Sequence, residues 1–184
     1  MFASRFFASF LAMSALAAYA SPAPVEIKKR ADVSDVLSVV STLQGTTSSI
    51  LPQINALVAS NQATAASVTP LASQLVGAFN TASGSLKAIG PVDASSGGTP
   101  NDVATSFAPI LSEIAVTLEA VEAVVPGLPV VLAGIGLDAA VNEVLLGLDI
   151  VLAGVLKLVA GLLFDVSAIL RNLGFVLTLL TLVL

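Results

Sequence analysis

The stretch 33–57, VSDVLSVVSTLQGTTSSILPQINAL, decides the fold. Val33, Val36, Val40, Leu43, Thr47, Ile50, Ile54 and Leu57 follow one another at steps of three or four residues. That alternation lays a mostly apolar stripe along one side of an α-helix. Asp32 or Ser34 offers the side-chain oxygen that caps its first turn. Gly45 and Pro52 weaken the helix, so a kink or break is expected around residues 49–52.

The same rhythm returns twice. Val68, Leu71, Leu75, Phe79, Ala82, Leu86 and Ile89 form a second stripe. Thr69-Pro70 suits a start or restart of that helix, since proline is tolerated in a first turn, and Gly90-Pro91 stops it. Residues 91–101, opening PVDASSGGTP, have the composition of a loop. A third helix is expected from Asn101 or Asp102, with Val103, Phe107, Leu111, Ile114, Leu118, Val121 and Val125 on one face. Pro109 implies a kink there, or a later start capped by Ser106. Pro126-Gly127-Leu128-Pro129 is a firm break, and no proline follows it. The remainder reads as helix nearly to the end, with interruptions at Gly134-Ile135-Gly136 and at Gly174. The expectation is an all-α bundle of about four or five helices with a long apolar C-terminal helical region.

Upstream, Arg5 precedes an apolar run over residues 6–18 that ends at Ala18-Tyr19-Ala20. This is the pattern of a signal peptide over residues 1–20, and the run is too short to span a bilayer. Residues 21–30, SPAPVEIKKR, read as a propeptide ending at a kexin-like dibasic site, Lys29-Arg30. Removing both segments leaves three basic residues against eleven acidic ones, a net charge of −8 over 154 residues. An acidic chain without a basic patch argues against nucleic acid as a partner.

The rest of the chain divides into unlike halves, 31–90 and 102–184. Residues 36–86 contain no charge and draw their polarity from Ser, Thr, Asn and Gln. Residues 126–184 carry only three hydroxyl side chains, Ser167, Thr178 and Thr181. The window 145–163 holds twelve Leu, Ile or Val residues, but Asp149 and Lys157 nearly cancel their drive toward a membrane interior. The last thirteen residues are uncharged, yet as a helix they reach only about 20 Å. No polar spacer precedes them, so a lipid-anchor signal is rejected. Gly147, Gly154 and Gly161 recur every seven residues. Because each costs a helix about 1 kcal/mol relative to alanine, the row is expected to pack closely against a second helix. A general Gly and Ala bias is the plainer alternative.

Chemistry-bearing residues are few. The chain has no His, Cys or Trp, so it lacks the usual general base, thiolate nucleophile and zinc ligands, and no disulfide can hold it. Glu119 and Glu122, with Glu113 nearby, have the spacing of a carboxylate pair and equally that of a solvated helix face, the reading preferred here. Asp138, Glu143, Asp149 and Asp165 show no metal-ligand spacing, and Asp149, Lys157 and Asp165 pair only if helices bring them together. Ser/Thr clusters at 46–49 and 95–99 suit O-glycans or ordinary loops. No catalytic residue, cofactor or metal is expected.

The runs DVLSVVSTLQGTTSSILPQINALVASNQAT and LASQLVGAFNTAS, with the Leu/Gly/Val-rich end, resemble small secreted proteins of mushroom-forming fungi. Those proteins occur in the medium and in aerial hyphal walls, and are implicated in aerial growth and attachment. A more distant likeness is to the fungal hydrophobic surface-binding and cell-wall mannoprotein family. The resemblance implies a secreted, helical, non-enzymatic protein, and carries over no functional residues. The absence of cysteine excludes a hydrophobin itself. The expected function is adhesion to, or coating of, hydrophobic surfaces or cell-wall components, with self-association. The rivals are a membrane-associated protein anchored through residues 140–184 and a carrier of an apolar ligand.

Overall fold

A computed structural model describes residues 31–92 and 95–184, so the signal peptide and the Lys29-Arg30 site lie outside the described residues. The fold is all-α. Its helices are α1 (Val33–Ala59), α2 (Ala65–Ile89), α3 (Pro100–Glu122), α4 (Leu128–Ile135), α5 (Leu137–Val151), α6 (Val155–Leu163), α7 (Ser167–Asn172) and α8 (Val176–Leu182). A 3₁₀ turn, Phe164–Val166, joins α6 to α7.

The three long helices each start on a reciprocal cap, Asp32 with Asp35, Thr64 with Ser67 and Thr99 with Asp102. In each, one side chain accepts from a free backbone N–H of the first turn while the other accepts from the cap residue's own N–H. This corrects the expected start of the second helix, which begins before Thr69-Pro70. The third begins at Pro100 under Thr99, beside the expected Asn101, and not at the later alternative under Ser106. Of the kink or break expected at 49–52, the break is absent, since α1 runs unbroken through Gly45 and Pro52. Pro52, Pro70 and Pro109 all sit on exposed positions within helices. The carbonyls that each proline frees, on Ser48, Ala66 and Thr105, are on exposed residues where water can meet them.

The apolar stripes become the core. All of the third stripe, Val103 to Val125, is buried, as are the first stripe's positions from Val33 to Ile54. Five helices form a ring: α1 packs on α2 and α3, α2 on α5, α3 on α6, and α5 meets α6. The short helices fill in around it, with α4 against α2, α7 against α3, and α8 across α5 and α6. Gly97 (φ +78°) closes the loop over the start of α1. A Cβ there would lie 2.6 Å from Asp32 Oδ1, while the Val33 N–H donates to the Ser96 carbonyl at 3.2 Å.

The long apolar region is more broken than expected. Interruptions fall at Gly136 and Gly174, as anticipated, and a further one falls at Leu152–Gly154. That extra break dissolves the glycine row. Gly147 alone faces a neighbouring helix, its missing Cβ 3.3 Å from Leu86 Cδ1 of α2. Gly154 is a left-handed turn residue (φ +86°) with open space around it, and Gly161 is exposed with nothing within 4 Å. A seven-residue spacing marks one helix face only while the helix continues, and here it does not.

The three glycines should therefore respond differently to substitution. Gly147→Leu is expected to destabilise by about 1–3 kcal/mol through overpacking against Leu86. Gly154→Ala should cost about 1–2 kcal/mol because its backbone is left-handed. Gly161→Ala should stabilise by up to about 1 kcal/mol. Thermal melts of the three variants check the ordering, and a loss of stability in Gly161→Ala would contradict its exposed placement.

Candidate functional site

The solvent surface separates into two kinds. On α1 and α2 the exposed side chains are mostly hydroxyls and amides, and many hydroxyls donate back to their own helix. Thr42 Oγ1 donates to the Ser38 carbonyl at 2.9 Å, Thr46 Oγ1 to Thr42 at 3.0 Å, Thr81 Oγ1 to Gly77 at 2.8 Å and Ser85 Oγ to Thr81 at 3.0 Å. Such back-bonding uses the proton and leaves the oxygen as an acceptor toward water. An open groove of about 300 Å³ runs between the two helices, rimmed by Ser38, Thr42, Thr81 and Ser85 over Leu43 and Ala82. This face is neutral and wettable.

The other kind is apolar. Among the described residues, the twelve exposed large apolar side chains all lie from Val116 onward, and none is on α1 or α2. Ten of them follow Pro126, including Leu146 and Ile150 on α5, Leu158 and Leu162 on α6, and Phe164, which is 71% exposed. Val176, Leu177, Leu180 and Val183 add a cluster on and just after α8. Since α1 packs chiefly on α2 and α3, whereas α8 packs on α5 and α6, the hydroxyl and apolar surfaces belong to different sides of the ring.

Polar contacts hold α8 in place. Asp138 of α5 accepts hydrogen bonds from the Leu177 N–H at 2.8 Å, the Thr178 N–H at 2.9 Å and Thr178 Oγ1 at 2.8 Å. The carboxylate thereby caps a helix that has no side-chain cap of its own. One turn along, Thr181 Oγ1 bonds to Asn142 Oδ1. Partner numbers rise together on both helices, so α8 runs parallel to α5. Sequence reasoning missed both contacts, because each joins residues about 40 positions apart with no local signal.

The remaining carboxylates take ordinary places. Glu113 and Glu119 are exposed along α3 and Glu122 is half-buried, in keeping with a solvated face. Asp149, Lys157 and Asp165 are each exposed. Among the described residues no three acidic, His or Cys groups come together as metal ligands. Glu143 pairs with Lys87 at 3.0 Å and accepts from Ser83 Oγ at 3.3 Å. The Lys87 hydrogen bond and charge, helped by Ser83, hold its carboxyl below the usual carboxylate range against a small opposing effect of burial. Its contribution to stability is present above the ordinary carboxylate pKa and is lost as pH falls through the lowered value. Because the pair is solvent-exposed, that contribution is small.

No family model matches the chain. Over 70 residues it is 41% identical to fruiting body differentiation protein 16 of Flammulina velutipes, a match covering 36% of this chain and 55% of that protein. The chain thus spans about half the length of the curated relative it matches. The similarity is to a protein of a mushroom fungus, which agrees with the resemblance read from the sequence at that coarse level.

Proposed function

We propose that this is a secreted, non-enzymatic protein of the cell wall or extracellular matrix that adheres to and coats hydrophobic surfaces. The observation that carries the reading is the one-sided exposure of large apolar side chains, absent from α1 and α2 and concentrated after Pro126. Exposed apolar surface concentrated in one part of a protein is a common mark of an interaction site, and that concentration supports an adhesive surface. The neutral hydroxyl face would then turn toward water or wall glycans. The name of the Flammulina velutipes relative refers to fruiting-body differentiation.

Membrane anchoring through residues 140–184 is less favoured. The longest helix reaching into that region, α5, has 15 residues and spans about 22 Å, short of a ~30 Å hydrocarbon core. Among the described residues one helix, α3, is long and apolar enough by itself to cross, and it supplies the bundle with Val103, Phe107, Ile110, Leu111 and Ile114 as core; α4 and α5 reach that length only as a pair bent by 55°.

The test is depletion of the processed full-length protein from solution onto alkyl-coated beads, at low and at high salt. Each 100 Å² of apolar surface removed from water contributes about 2.5 kcal/mol, and salt does not screen it. Retention should therefore persist or rise in high salt. Release by salt alone, or failure to bind, would remove the adhesive reading. Truncation after Val125 is unsuitable for this purpose, because it deletes the helices that pack against α2 and α3.

A further inference from the structure

The last helix, α8, is held by its neighbours and not by itself. It has 7 residues, whereas an isolated helix needs about 12–15 to persist in water. Its first N–H groups are capped from α5 by Asp138, and Thr181 is tied to Asn142. It closes on Val183, a β-branched residue in the left-handed region (φ +59°), where such a side chain is strained. That turn brings the Leu184 N–H to the Leu179 carbonyl at 3.1 Å. Just before α8 the chain is fixed. Phe175 is fully buried, and its N–H donates to the Leu170 carbonyl at 3.0 Å. The backbone at Phe175 is already non-helical (ψ 61°), so a change of angle there moves α8 without moving its anchor. The ring closes through α1, α2, α3, α5 and α6, and α8 lies on α5, α6 and α7 beside it.

We infer that α8 is a hinged strap: it lifts from α5 at the Phe175–Val176 link while the ring stays folded, and the lifted form is the one that adsorbs. The second half of the inference rests on the adhesive reading above. In the closed form α8 buries Leu179 and Leu182. Val141 and Leu145 are buried on the side of α5 that carries Asp138 and Asn142, by helical spacing. Lifting therefore uncovers apolar side chains on both the strap and its seat. Asp138 and Asn142 are half-buried, so water replaces the bonds they lose. A surface shifts a conformational equilibrium only by the difference in its affinity for the two forms. Here that difference is the newly uncovered hydrocarbon, since Val176, Leu177 and Leu180 are exposed while the strap is down. In water the same hydrocarbon favours closing, which keeps the strap on its seat away from an apolar phase.

The experiment moves the strap in both directions in the processed full-length protein. Asn142→Cys combined with Thr181→Cys puts thiols where the native side chains touch, in a chain that has no other cysteine. Oxidation then staples α8 down and a reductant frees it. Asp138→Ala removes the cap and lifts it. The oxidised double variant should adsorb to octyl-coated beads on the order of tenfold more slowly than the same variant reduced. Asp138→Ala should adsorb on the order of tenfold faster than the wild type. Amide exchange of the wild type in solution gives a second reading, with Leu179 to Leu182 exchanging at least about tenfold faster than Phe107 to Leu118 of α3. Equal adsorption of the oxidised and reduced forms, or exchange in α8 no faster than in α3, overturns the inference and leaves the adhesive reading standing. If oxidation does not close the disulfide, Asp138→Ala decides alone, and an unchanged adsorption rate overturns the strap. A wild-type protein that does not adsorb removes the adhesive reading, and with it the adsorbing role of α8.

Discussion

Phe107→Ala is expected to lower stability by about 3–5 kcal/mol, whereas Phe164→Ala should leave it nearly unchanged. Phe107 is fully buried on α3, the helix that packs against both α1 and α6. Emptying its site leaves a cavity that no cross-link compensates, because the chain contains no cysteine. For a domain of about 150 residues the loss corresponds to a fall in melting temperature of roughly 6–20 °C. Phe164 stands in the 3₁₀ turn with most of its surface in water, so its removal takes little from the folded state. A differential melt of the two variants is the measurement. Similar losses would mean that Phe164 is covered in solution, for example by self-association.

Asp138→Ala should release α8 without unfolding the ring. Three hydrogen bonds end on this carboxylate, and Thr178 would be left with a buried hydroxyl that has lost its acceptor. Bonds to a charged acceptor contribute about 1.5–3 kcal/mol each and do not add fully, so a loss of about 3 kcal/mol in the docking of α8 is expected. That equals roughly a hundredfold rise in the opening of the helix. Amide hydrogen exchange should report it as faster exchange from Leu177 to Leu182, with α1 to α3 little affected. Asp138→Asn keeps one acceptor oxygen and should fall between the wild type and the alanine variant. Unchanged exchange in α8 after Asp138→Ala would show that apolar contacts alone dock the helix.

Much of this protein was legible in its residues. The three- and four-residue steps of Val33 to Ile54, Val68 to Leu86 and Val103 to Val125 specify three long helices and name the sides that become core, because helical periodicity is a local property. The turn glycines at 90, 136 and 174 were readable for the same reason. The caps and prolines were read less well. Thr64-x-x-Ser67 and Thr99-x-x-Asp102 are local signals that outweighed the prolines downstream of them, whose freed carbonyls reach water from exposed faces.

Tertiary structure decided the rest. Composition alone sets how much hydrocarbon residues 126–184 carry, but not which of it is covered, and Phe175 and Phe164 are the same residue type with opposite fates. The glycine spacing at 147, 154 and 161 was equally compatible with a packed row until the break at Leu152–Gly154 turned the chain. The inward turn of Thr178 and Thr181 depends on Asp138 and Asn142, about 40 residues away. Hydrogen bonds across such a separation leave no periodic trace, so only the packed bundle determines which side of α8 meets the outside.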